Sequence, residues 1–110
     1  MVTAKHETPE YSPPYGAAAI VGACILALYM VTLAPSTTFW DTSEYIATAH
    51  ILGIPHPPGN PLFVVLARTW SVLLAPLGLS VAVRINLLAA VTSAAASGFL
   101  FLIAHRVLYR

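Results

Sequence analysis

Two carboxylates stand three residues apart at Asp41 and Glu44, and two histidines follow at His50 and His56. They are half of the chain's four acidic residues and half of its four histidines. A carboxylate in the first turn of a helix at a membrane surface can take a proton from an incoming hydroxyl. Two together could bind a divalent cation. The same spacing has a plain structural reading. Asp at an N-cap with Glu at the third helical position is a capping pattern worth about 0.5–2 kcal/mol. A four-ligand zinc site fits poorly, because His50 projects roughly 120° round the helix from Glu44 and opposite Asp41. His56 differs, since Pro55 and Pro57 restrict the backbone on either side of it. A rigidly held imidazole is the better positioned hydrogen-bonding group. The alternative is a loop histidine that meets lipid headgroups.

The stretch from Asp41 to Pro61 lies between apolar segments. The chain is 58% hydrophobic and 8% charged, with mean hydropathy +0.80. A soluble domain carries about 25% charged residues. So little charge cannot cover a water-facing surface, which points to an integral membrane protein. A net charge of +1 gives no electrostatic case for nucleic acid. The single Cys24 lies in an apolar run and reads as a packed thiol.

Residues 1–15 are polar, contain Pro9, Pro13 and Pro14, and read as a disordered tail. Residues 16–110 form the membrane segment. Residues 16–34 carry no charge and read as a first span, stopped by Pro35. A cleavable leader is the weaker reading, because the region before it is long and poorly basic. A helix is expected over Thr42 to Leu52, with Asp41 as N-cap and Gly53 as the stop. Tyr45, Ile46, Ala49 and Leu52 give it an apolar stripe suited to a membrane surface. The prolines between Ile54 and Asn60 exclude helix there, and Gly59 permits a turn or a close approach. Asn60 and Pro61 read as N-cap and first helical position of a short apolar helix over residues 61–75. Apolar runs of this length more often lie at the interface or re-enter than span, and it is placed outside or half-buried. Ser80 can cap a long helix reaching about Leu108, whose spanning part is placed at residues 84–105.

The expected fold class is therefore all-α membrane. Two transmembrane helices are joined by an extracytoplasmic acidic loop, residues 35–80, that carries two interfacial helices. His105, Arg106 and Arg110 after the last span place both termini in the cytoplasm. Arg68 and Arg84 must snorkel to water or meet an anion such as a lipid phosphate. Ala18 with Gly22, and Ala90, Ala94 and Gly98, recur at four-residue spacing and permit close helix packing.

Four segments carry a family resemblance: Leu33-Ala34-Pro35; Asp41-Thr42-Ser43-Glu44-Tyr45; Leu52-Gly53-Ile54-Pro55-His56-Pro57-Pro58-Gly59-Asn60-Pro61-Leu62; and Arg84-Ile85-Asn86-Leu87. Together they resemble the start of a GT-C-type membrane glycosyltransferase. The closer likeness is to a family long catalogued as a domain of unknown function. Its animal members include protein O-mannosyltransferases of the endoplasmic reticulum. The His-Pro-Pro-Gly block at this distance from the acid pair carries the specificity. Asn60 departs from the aromatic residue often found there in the family.

The resemblance implies inverting transfer of a sugar such as mannose from a polyprenyl-phosphate donor to a protein or glycan acceptor. By carry-over Asp41 is the general base, and Glu44 is its support or an acceptor contact. His56 and Gly59 shape the donor–acceptor pocket, and Arg84 meets the lipid phosphate. No metal is assigned to the site, although the acid pair could hold a divalent metal. The partners implied are the lipid-linked donor, the acceptor, membrane lipids and further transmembrane helices of the same or another chain. The membrane is the bacterial inner membrane or the endoplasmic reticulum. Family members have many more spans, so this chain reads as an N-terminal fragment that is inactive alone. The competing reading is a small helical-hairpin subunit or anchor, in which the acids only cap and the small-residue faces bind a partner. A transporter fragment is a third reading, disfavoured because transporters keep ion-binding acids inside their spans.

Overall fold

The computed structural model describes residues 11–109, and among these all regular structure is helical. The helices are α1 (Tyr15–Val31), α2 (Thr42–Ile51), α3 (Pro61–Leu73) and α4 (Val81–Leu108), with a 3-10 turn at Ala75–Leu77. The expected polar tail at residues 1–15 lies mostly outside the described residues.

The long helix starts where its cap predicts. Ser80 is extended, and its hydroxyl accepts from the Val83 amide at 3.3 Å. α4 then runs 28 residues with a mean hydropathy of 2.1 over its most apolar window, of which 17% is buried within the chain. It is long and apolar enough to cross a membrane, and the only such helix among the described residues. A core helix of a water-soluble protein would bury most of that window.

α1 ends three residues before the expected boundary at Ala34. Thr32 closes it, its amide and its hydroxyl both donating to the Leu28 carbonyl at 3.1 and 2.9 Å. Pro35 disfavours helical geometry at Ala34. Its 17 residues give a length of about 26 Å, short of the roughly 30 Å hydrocarbon core.

The small residues hold α1 against α4. A Cβ added at Gly98 would lie 3.1 Å from the Ala18 carbonyl oxygen, and one at Gly22 would lie 3.4 Å from that of Ala94. Ala18, Ala90 and Ala94 are buried in this seam. The four-residue spacing thus packs two helices of one chain. Cys24, expected to be packed, is exposed.

At one end of this pair, α2 and α3 pack on each other and on the start of α4. Ile46, Ala49, Ala67 and Ile85 form the shared core, flanked by Phe63, Val81, Ala82 and Leu88. Two arginines tie the ends of these helices. Arg68 donates to the His50 carbonyl in the last turn of α2 at 2.6 Å, and Arg84 donates to the Ser71 carbonyl near the end of α3 at 2.5 Å. Helix C-termini leave carbonyls unpaired and carry partial negative charge, so cations are stabilising there. Trp70 Nε1 donates back to the Arg84 carbonyl at 2.9 Å, locking α3 to α4.

Candidate functional site

The site is assembled at the N-terminal end of α2, to which the loop after the helix returns. Asp41 stands before the helix, but it does not cap it. Its own backbone is helical (φ −71, ψ −9), and its carboxylate makes no bond to the first turn. The capping-pattern reading of the acid pair therefore does not hold for either member. Glu44, which should reach back to the Asp41 amide, turns instead to a residue twelve positions on. Its Oε1 accepts the His56 backbone N–H at 2.6 Å, and its Oε2 lies 2.7 Å from His56 Nδ1.

His56 comes within reach because the chain reverses after α2. Leu52 takes a left-handed conformation, φ 56, and the Gly53 amide donates to the Thr48 carbonyl at 2.8 Å. The left-handed residue at this stop is Leu52, where Gly53 was expected to terminate the helix. The wrapped bond from Gly53 requires a left-handed residue just before it, whatever its side chain. A second turn follows, closed by Gly59 N–H donating to the His56 carbonyl at 2.9 Å. Gly59 has φ +84, and only open contacts of 3.8 Å or more surround a Cβ placed there. Glycine is thus required at this position by the backbone conformation, not by crowding.

The imidazole sits between the two acids. Nδ1 faces Glu44, and Nε2 lies 3.8 Å from Asp41 Oδ2. The hydrogen bond from His56 holds the Glu44 carboxyl below the usual carboxylate range, with the backbone N–H of His56 adding to it. The same bond raises the His56 imidazole above its ordinary value, Asp41 contributing a smaller charge effect. Donor atoms of Asp41, Glu44 and His56 all lie within 4.8 Å of one another. They are already engaged with each other, since both Glu44 oxygens face one histidine. The Glu44 bonds leave Asp41 and His56 Nε2 as the free donor atoms of this hydrogen-bonded triad.

Asp41 also lines a cavity of about 850 Å³, whose apolar walls include Trp40, Tyr45, Phe63 and Ile85. Asn60 and Asn86 supply its polar points. The cavity therefore offers one carboxylate beside a mostly apolar trough. Trp40 is 92% exposed and left-handed (φ 66) immediately before Asp41. Bulky residues seldom adopt that conformation, and such backbone is concentrated at functional sites.

Of the residues singled out from sequence, Asp41, Glu44 and His56 come together, with Gly59 shaping the loop beside them. Arg84 does not line the cavity; its guanidinium faces Ser71, and its buried Nε has no partner among the described residues. His50 lies apart, against Arg68, as the helical angle required. Two residues that the sequence named only within its motifs also build the site. Tyr45 accepts a hydrogen bond from the Asn60 side chain and packs edge-on against Phe63 with centroids 5.5 Å apart. Asn86 donates to the Ala34 and Ser36 carbonyls at 3.0 and 3.3 Å, holding the linker that leads to Asp41. A lone amide in an apolar helix was the available signal for Asn86.

The sequence comparisons give this geometry a family. The model of the protein O-mannosyl-transferase TMEM260 N-terminal domain matches residues 41–110, beginning at Asp41 itself. The chain belongs to this family. It is 42% identical over 87 residues to mouse protein O-mannosyl-transferase TMEM260, an alignment covering 79% of this chain and 12% of the relative. The Dictyostelium discoideum protein of the same description is 37% identical over 87 residues, covering 73% of this chain and 11% of the relative. The chain thus spans about an eighth of the length of the curated relatives it matches. No solved structure matches it.

Proposed function

We propose that this chain is the acidic-loop part of a membrane glycosyltransferase that moves a sugar from a polyprenyl-phosphate donor to an acceptor hydroxyl. The relatives are named protein O-mannosyl-transferases, and on that ground the sugar is mannose and the acceptor a protein. The observation that carries the reading is the placement of Asp41 at the lip of an apolar cavity. A lipid-linked sugar needs both features, an apolar trough for the lipid and a base where the sugar emerges.

In this reading Asp41 accepts the proton of the acceptor hydroxyl. The acceptor oxygen attacks the anomeric carbon, and the bond from that carbon to the phosphate oxygen breaks. The electron pair leaves with the lipid phosphate, and the configuration inverts. Asn86 and Asn60 contact the polar head of the donor at the cavity wall. Arg84 reaches that phosphate only if its hydrogen bond to Ser71 is exchanged on binding. His56 and Gly59 shape the entrance.

The chain lies in the membrane of the bacterial inner membrane or the endoplasmic reticulum, with α1 and α4 crossing it and α2 and α3 on the far face. The outward apolar side chains of both long helices support this, among them Ile20, Leu28, Phe99, Leu100 and Ile103, each more than half exposed. His105 and Arg106 at the end of α4 favour cytoplasmic termini. The remaining transmembrane helices of the donor groove come from the same or another chain.

Asp41→Asn tests the proposal. In the full-length gene product, mannosyl transfer to a protein acceptor should fall by about 10²- to 10⁴-fold, with helix content unchanged. Transfer at the wild-type rate would remove Asp41 as the base.

A further inference from the structure

We infer that Glu44 is a positioning residue acting through His56, and that His56 Nε2 relays onward the proton that Asp41 takes from the acceptor. The inference rests on the transfer reading above and assigns a division of labour within the triad.

Glu44 has two oxygens, and both face His56, one on its backbone N–H at 2.6 Å and one on Nδ1 at 2.7 Å. An ionised carboxylate only accepts hydrogen bonds, so Nδ1 carries the hydrogen. In the neutral ring Nε2 is then the free acceptor. It faces Asp41 Oδ2 at 3.8 Å, beyond hydrogen-bond distance, so the relay requires the two exposed side chains to close that gap. Asp41, Glu44 and Tyr45 are the titratable side chains facing the ring among the described residues, with the Tyr45 ring centroid 6.1 Å away. The backbone on either side of the imidazole is restricted by Pro55 and Pro57.

The proton inventory closes. The acceptor hydroxyl gives its proton to Asp41 as its oxygen bonds to the sugar carbon. Protonated Asp41 passes the proton to Nε2, which regenerates the carboxylate and leaves an imidazolium paired with ionised Glu44. Asp41 (62% exposed) and the ring (46% exposed) both reach water, but the imidazole is a far stronger base than water, so the proton passes to the ring first and from there to water. Glu44 stabilises the imidazolium and so makes the neutral ring a stronger proton acceptor. The relay needs neutral His56 at the outset. The rate should therefore fall as pH drops through the raised His56 value.

Two measurements test this. The first is ¹⁵N NMR of the His56 ring in the 110-residue chain in lipid bicelles. The neutral ring should be the Nδ1–H tautomer, titrating above 6.5, and Glu44→Gln should move the midpoint down. An Nε2–H tautomer, or a midpoint unmoved by Glu44→Gln, overturns the inference. The second uses the full-length gene product with a polyprenyl-phosphate-mannose donor. His56→Ala keeps the backbone N–H on Glu44 and so keeps the loop tied. Its kcat should fall about 100-fold and recover with added imidazole. Glu44→Gln should lower kcat and shift the acid limb of the pH profile to lower pH. Full-rate transfer by His56→Ala, or no rescue by imidazole, sinks the relay while leaving the transfer reading intact. A wild-type protein that transfers no sugar, whatever the tautomer, sinks both.

Discussion

Replacing Gly98 tests the seam on which the whole arrangement stands. The Cβ of an alanine there would lie 3.1 Å from the Ala18 carbonyl oxygen, and the nearby Gly22 Cα is 4.0 Å away. Both neighbours are backbone of α1, so no side chain can rotate aside. Ordinary contact begins near 3.4 Å, so α1 must shift by a few tenths of an ångström. Against that, alanine in a helix interior gains about 0.8–1 kcal/mol over glycine. Gly98→Ala should therefore be close to neutral. Gly98→Leu adds three more carbons at the same point and must wedge the helices apart, costing about 1–3 kcal/mol. That lowers the ratio of paired to separated helices by about 5- to 150-fold. A spin label on the native, exposed Cys24 and a second on Phe99→Cys would report the separation in lipid bicelles by pulsed dipolar spectroscopy. Gly98→Ala should keep a single short distance, and Gly98→Leu should add a longer, broader component. An unchanged distribution in Gly98→Leu would refute the close contact and the reasoning from it.

The Glu44–His56 pair should depend on pH in both directions. The lowered Glu44 stabilises the loop above its ordinary 4.5 and releases it as pH falls through the folded value. The raised His56 contributes fully below its ordinary 6.5 and releases as pH rises through its folded value. The tie is therefore tightest between 4.5 and 6.5. The His56 amide proton shift should move on both sides of that window, and a flat shift above 6.5 would contradict the pairing. Asn86→Leu should free the Ala34–Ser36 linker at a cost of about 0.5–1.5 kcal/mol per lost hydrogen bond, seen as faster proteolysis there with α4 intact. Arg68→Ala should speed amide exchange at Gly53 by loosening the end of α2 while leaving α4 protection unchanged.

Local chemistry determined the helices. Ser80, Pro61 and the glycine and proline stops mark element ends within a few residues, because caps and breakers act over a single turn. Apolarity without compensating charge marked the long helix, and small residues one turn apart marked the seam. The acid pair and the His-Pro-Pro-Gly block carried the family resemblance before any fold was known. What the sequence alone left undecided was which partner each polar group takes. Glu44 has two chemically reasonable destinations, the Asp41 amide three residues back and His56 twelve ahead. The choice follows from the left-handed turn at Leu52 and the loop closure at Gly59. Arg68 and Arg84 likewise needed anionic company, and only the packing of α2, α3 and α4 put helix-end carbonyls within reach. Each is a small energy difference between competing hydrogen bonds. Such differences are settled by where a distant part of the chain lies, which neither periodicity nor composition encodes.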